Sequence, residues 1–255
     1  MCSSDLPHQT FAHLYHEHRE IFDELFLGGP TGVEQFWRGV VKRRDPRLAR
    51  HPMCSKPDWI TRTIPLSIHG DAVPCVQVGK HATKSFDTIS FQGMFSEGPT
   101  LWVKHLIFGI FEHCKTPDTM DKVWQLIVWS LKIMFEGVYL DRDHEGNAYP
   151  PGSSEAMVAG TPLAGGFRAV LYSIKGDLDY FAKCLFLRNF KAVQPCDFCP
   201  CSTHQHHTMW PNYFEDDAGW KSQLFTPAQW RELDRPRLHV LLDRKSTRLN
   251  SSHQI

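Results

Sequence analysis

Two apolar segments of this chain, TIPLSIHGDAVPC and FRAVLYSIKGDLDY, each run into a Gly-Asp step, at Asp71 and at Asp177. A strand that ends this way holds its carboxylate at the carboxyl edge of a sheet, the edge at which sheet proteins bind ligands and metals. The two acids can share a site only if their strands are neighbours. The order of the elements between them therefore decides the reading.

After Thr10 as a candidate cap, Phe11, Leu14, Tyr15, His18, Ile21, Phe22, Leu25 and Phe26 recur at three- and four-residue spacing until Gly28, Gly29 and Pro30. That pattern predicts one amphipathic helix over 11–26. Thr31 is placed to cap a second helix carrying Val33, Phe36, Trp37 and Val40. At Ile64, Leu66 and Ile68 the period becomes two, which predicts a first strand ending on His69, Gly70 and Asp71, with Pro65 at an unpaired position. The β-branched and aromatic residues of 84–95 and the apolar run 101–111 supply two antiparallel partners for this first strand.

Asp118 or Thr119 opens the clearest helix, whose stripe runs through Met120, Trp124, Ile127, Leu131, Met134 and Phe135 to Val138. The Gly- and Pro-rich segment 141–166 reads as an insertion or a lid. A strand over 167–174, Asp177 and a helix over 178–187 complete the series. A right-handed crossover from the third strand through the long helix sets the fourth strand parallel beside the first, which makes Asp71 and Asp177 neighbours.

Adjacent carboxylates either share a proton or hold a cation, and Mg2+ (or Mn2+) suits an all-oxygen donor set. Paired metal ions of this kind serve phosphodiester displacement, activating the attacking oxygen and stabilising the leaving one. Each acid also has a plainer role: Asp71 as a turn residue in HGDAVP, and Asp177 as the N-cap of the helix that follows. Asp179 competes with Asp177, and in a first helical turn it would complement the helix dipole. A phosphoesterase or another metal hydrolase would use the same acids.

Cys196 and Cys199 are separated by the two residues that let both thiolates grip one zinc, and Cys201, His204, His206 and His207 crowd in behind them. Structural Zn2+ held by Cys196, Cys199, Cys201 and His204 is expected there, with free buried or redox-active thiols as the alternative. Cys2, Cys54, Cys75, Cys114 and Cys184 are isolated.

The 28 Lys and Arg balance 28 Asp and Glu, so no global basic signature marks a nucleic-acid partner. The densest basic run, KRRDPRLAR, carries Lys42, Arg43, Arg44, Arg47 and Arg50 and reads as a solvated face or a local phosphate contact. The longest apolar run, near 126–135, is interrupted by Lys132, and the start lacks a signal-peptide pattern, so no membrane span is expected. The unpaired cysteine usage favours an intracellular compartment. The last residues, DRKSTRLNSSHQI, look like a translated sequencing adapter and stand outside the fold, which makes a truncated chain the expectation.

The acid in PLSIHGDAVP, the second in IKGDLDYFAKCLFLRNF and the PCDFC that follows together resemble DDE transposases with an RNase H-like core, of the CACTA (En/Spm-like) or Kyakuja-Dileera-Zisupton type. The resemblance covers about 65–201. It implies an α/β fold with an RNase H-like mixed sheet (three antiparallel strands, helix, parallel strand, helix), N-terminal helices over 1–60, a core over 61–242 and a Cys/His-rich insertion near 194–222. It implies Asp71 and Asp177 as the first two catalytic acids, Mg2+ as cofactor, Cys196 and Cys199 as zinc ligands, and action in the nucleus on DNA at transposon ends, with homo-oligomers admissible. No third acid with a helical context follows before Leu242, although Glu215, Asp216, Asp217 and Glu232 are available. The expected function is thus a transposase fragment, inactive as it stands. The alternative is a non-catalytic, zinc-stabilised interaction module or domesticated remnant.

Overall fold

The computed structural model describes residues 5–45, 48, 51–78, 82–177, 180, 181, 185, 187, 188, 192–196, 199–203, 216–223, 225, 226, 228 and 229, with side chains at 74–78, 82–84, 221 and 222 set aside. Two compact units divide the chain between Lys175 and Gly176.

The first unit opens with α1 (Pro7–Glu17) and α2 (Arg19–Phe22), which continues as a wider turn over Asp23–Leu27 and stops at Gly28 in the left-handed region (φ 62°). The predicted single helix is therefore broken at His18, whose backbone (φ −137°, ψ 56°) leaves the helical region. Thr10 is not a cap: the helix begins earlier, with Pro7 in its first turn, where a missing N–H costs no hydrogen bond. Phe11, Phe22 and Phe26 nevertheless share one face, with ring centroids 4.9–5.3 Å apart, all fully buried. After α3 (Gly32–Lys42), Lys42, Arg43 and Arg44 are exposed, while Arg47 and Arg50 lie outside the described residues.

A short α4 (Trp59–Arg62) leads into β1 (Thr63–Val78), which pairs antiparallel with β2 (Ala82–Gly93). The third strand begins later than expected. Residues Thr100–Val103 form the short helix α5, and β3 spans His105–Phe111. Helix α6 (Thr119–Glu136) starts after Asp118, as its sequence predicts, and ends at Gly137 in the left-handed region (φ 73°). Val138 falls beyond it, in an isolated bridge to Pro162. A short α7 (Ser154–Val158) precedes β4 (Arg168–Lys175).

The result is an α/β unit with a four-stranded mixed sheet in the order β3-β2-β1-β4. β4 lies parallel to β1, in a register that runs from Thr63 beside Arg168 to His69 beside Lys175. Pro65 is within the ladder, opposite Val170, and its carbonyl accepts the Met94 N–H at 3.0 Å. Central position explains the composition of β1: residues 63–68 are buried without alternation, because the strand is covered on both faces. Trp37 of α3 donates its indole N–H to the Thr63 carbonyl at 2.6 Å and meets Tyr172 of β4 at 5.9 Å, while Phe26 lies 6.3 Å from Phe91. The N-terminal helices thus share one core with the sheet.

The second unit, Gly176–His239, is described only in part. Of the helix expected over 178–187, Tyr180 and Phe181 are helical; Leu185 and Leu187 are not, and the rest lies outside the described residues. A short helix occupies Gly219–Ser222.

Candidate functional site

Asp71 does not end its strand. β1 continues to Val78, and Asp71 stands opposite Thr88 of β2, whose hydroxyl donates to the Asp71 carbonyl at 3.3 Å. What does end there is cover: the pairing with β4 stops at His69, Asp71 is half-buried, and Ala72 and Val73 are exposed. Asp71 therefore marks the place where the central strand leaves the core.

Asp177 opens the second unit and is exposed. Its Oδ1 accepts the Tyr180 N–H at 2.6 Å and its carbonyl accepts the Phe181 N–H at 3.1 Å. That is the geometry of a helix N-cap, in which the carboxylate satisfies a donor left over in the first turn. Asp179 lies outside the described residues.

The cysteines form a group of their own. Cys196, Cys199 and Cys201 are the one set of three or more His, Cys, Asp or Glu residues among the described residues whose ligand atoms all lie within 4.8 Å of one another. Three sulfurs on one tetrahedral zinc would stand about 3.8 Å apart, given Zn–S bonds of about 2.3 Å, so the cluster needs only a small closing movement. The loop that carries it is tied at its ends: Thr203 donates its N–H to the Val193 carbonyl at 2.8 Å, and Arg188 reaches the Gln194 amide oxygen at 2.7 Å. Cys199 and Cys201 are buried. Burial, foremost, and the adjacent Cys196 thiol push the Cys199 thiol up to about 12, and burial raises Cys201 as well. Without a metal the Cys199 and Cys201 thiols therefore keep their protons, and a metal must displace them, which makes its affinity rise with pH. The three cysteines can hold a metal ion, and their donor chemistry suits structural zinc. His204, His206 and His207 lie outside the described residues.

Comparison of the chain with protein-family models, with curated proteins and with solved structures finds no match.

Two features escaped the sequence reading. Asp87 of β2 is buried, 6% exposed, and forms an ion pair with Lys115. A lone acid inside the apolar alternation of 84–95 was its signal. The segment 141–166, read as an insertion or lid, is a built wall. Trp129 of α6 donates its indole N–H to the Arg142 carbonyl at 3.1 Å, and Arg142 bridges to Ala148. Asp143 accepts the N–H groups of Glu145 and Asn147 at 2.9 and 2.8 Å. Among the described residues, no helix is long and apolar enough to cross a membrane.

Proposed function

We propose that the chain is a metal-dependent nucleic-acid-processing protein with an RNase H-like core of the transposase kind, in which Asp71 and Asp177 hold Mg2+ or Mn2+ against a DNA phosphodiester. The observation that carries this is the parallel register of β1 and β4. His69 pairs with Lys175, and each of these residues precedes its Gly-Asp acid by two positions in the sequence. The sheet order β3-β2-β1-β4, with three antiparallel strands, a long helix and then a parallel strand, supports the RNase H-like assignment. The two carboxylates would bind and orient the cation, and Lys175, exposed at the end of β4, is placed to meet a phosphate. Divalent cations at such a pair supply activation of the attacking oxygen and charge neutralisation at the leaving one. DNA as substrate and the nucleus as the place of action rest on the motif resemblance. Titration of the full chain with Mn2+, followed by electron paramagnetic resonance, tests the reading. Asp71→Asn and Asp177→Asn should each weaken Mn2+ binding at least about ten-fold, the loss expected when one of two anionic ligands is removed. Unchanged binding in both variants would contradict it.

A second reading is favoured by two observations: the Asp177 carboxylate is already engaged by the Tyr180 N–H, and three thiols converge at Cys196, Cys199 and Cys201. On this reading the protein is a non-catalytic, zinc-stabilised interaction module. It predicts one zinc per purified chain, lost in Cys199→Ser and unaffected by Asp71→Ala, as read by elemental analysis and a chromogenic zinc assay after thiol modification. A purified wild-type chain without zinc rules this reading out.

A further inference from the structure

A cleft of about 730 Å3 opens between α1, the α6 surface and the 139–158 segment, and neither Asp71, Asp177 nor a cysteine is among the described residues that line it. Its size falls in the range of small-ligand sites, roughly 300–1,000 Å3. Three aromatic side chains, Trp129, Tyr139 and Tyr149, and three carboxylates, Glu17, Asp143 and Glu155, line it. Among the described residues no lysine or arginine lines it, and the remaining ionisable groups in its wall are histidines: His8, His13, His16 and His144. Burial holds the His8 imidazole down at about 4, so that ring is neutral near pH 7.

The wall is fixed by main-chain bonds rather than draped. Tyr139 donates its N–H to the Thr161 carbonyl at 3.1 Å and accepts the Gly160 N–H at 2.8 Å; Tyr149 donates to the Asp141 carbonyl at 3.2 Å. The Trp129 ring stands edge-on to His8, with centroids 5.1 Å apart, and its N–H is committed to Arg142. Asp143 and Glu155 stay charged. At Asp143 desolvation, which alone would raise the pKa, is outweighed by hydrogen bonds from Asn147 and Glu145. At Glu155 its own N–H and the Ser154 hydroxyl lower the pKa. Tyr149 is raised by burial first and then by the charges of Asp143 and Glu155, so both acids act on that phenol.

Aromatic faces attract a diffuse cation, and fixed carboxylates with no competing lysine or arginine add to that field. We propose that this cleft binds an alkylammonium group, with Trp129, Tyr139 and Tyr149 as its aromatic walls and Glu155, Asp143 and Glu17 as its counter-charges. An aromatic wall recognises such a group most strongly when methylation has made it bulky and weakly hydrated. The same chemistry is presented by a methylated lysine of a protein partner and by a free quaternary amine. This site is independent of the metal reading above and stands or falls separately from it.

The test is a two-dimensional NMR titration of the full-length chain with choline, with its neutral isostere 3,3-dimethylbutan-1-ol, and with a short peptide containing trimethyllysine. Choline should shift the Trp129 indole N–H resonance saturably and bind at least about ten-fold more tightly than the isostere, the discrimination expected of a partly desolvated cation–π site. Glu155→Gln, at a side chain whose hydrogen bonds are all local, with its own N–H, Ser153 and Ser154, should weaken choline at least about three-fold and leave the isostere unchanged. A peptide that binds more tightly than choline assigns the site to a lysine of a partner; the reverse assigns it to a free amine. Equal affinity for choline and the isostere, or no saturable shift at Trp129 with any of the three probes, overturns the proposal.

Discussion

His8 shows how one buried side chain can set a pH limit. Its main-chain N–H donates to the Ser130 hydroxyl oxygen at 3.0 Å, and its Nδ1 lies 2.9 Å from the same oxygen. In the neutral ring Nδ1 can accept the hydroxyl proton or donate to the hydroxyl oxygen, according to the tautomer. Burial lowers the His8 pKa to about 4, and burial also takes His51 to about 4 and lowers His105. The folded-state pKa lies below the unfolded one, so this stability is fully present above pH 6.5 and is lost as pH falls towards 4. At 1.36 kcal/mol per unit, His8 alone is worth about 3 kcal/mol across that window. Urea unfolding at pH 7 and pH 4.5 should show a steep fall for the wild type and a shallower one for His8→Gln. Equal slopes would mean that His8 does not titrate with unfolding. None of this was legible in the sequence, because His8 precedes the expected helix start and its partner is 122 residues away.

Among the elements, the long helix α6 was readable almost to the residue because its stripe is long and periodic, although the expected stripe continues to Val138 and the helix stops at Gly137. Gly137 sits at φ 73°, and a Cβ there would collide with the Arg168 side chain and crowd the Phe167 carbonyl. Gly137→Ala should therefore cost about 1–2 kcal/mol, seen as a lower thermal midpoint with the fold retained. An unchanged midpoint would show that the helix end relaxes freely.

The misread elements failed for a different reason: apolar spacing survives a backbone break. Phe11, Phe22 and Phe26 keep one face although the helix stops at His18, so periodicity alone could not reveal the stop. The run 101–111 is apolar on both sides of Lys104 and His105, yet Leu101 and Trp102 are 93% and 77% exposed in α5 while the strand begins at His105. β1 runs on past Asp71 because Ala72 to Val78 find a partner in β2, the next strand in the chain, a continuation that Gly70 and Pro74 conceal in the sequence.

At the scale of the whole molecule, the parallel placing of β4 beside β1 followed from the sequence because a right-handed helical crossover leaves few topologies, whereas β3, expected as a second antiparallel partner of β1, pairs with β2 instead. The parallel β1–β4 ladder is the part of that expectation on which the proposed metal site depends. The plainer role of Asp177 was equally readable in advance, and its cap on Tyr180 is formed. The three-cysteine cluster was legible from spacing as far as Cys201, since gaps of two residues and then one reach one ion without help from the rest of the fold.

The most direct test of the central claim replaces Mg2+ by Fe2+ in the full-length chain and starts hydroxyl-radical cleavage with ascorbate and peroxide, mapping the cut sites by mass spectrometry. If Asp71 and Asp177 hold one cation site, backbone cuts should cluster near both acids, compete with added Mg2+, and disappear together in Asp71→Asn. Cuts confined to the neighbourhood of Cys196, Cys199 and Cys201, or a pattern that Asp71→Asn leaves unaltered, would contradict the shared site.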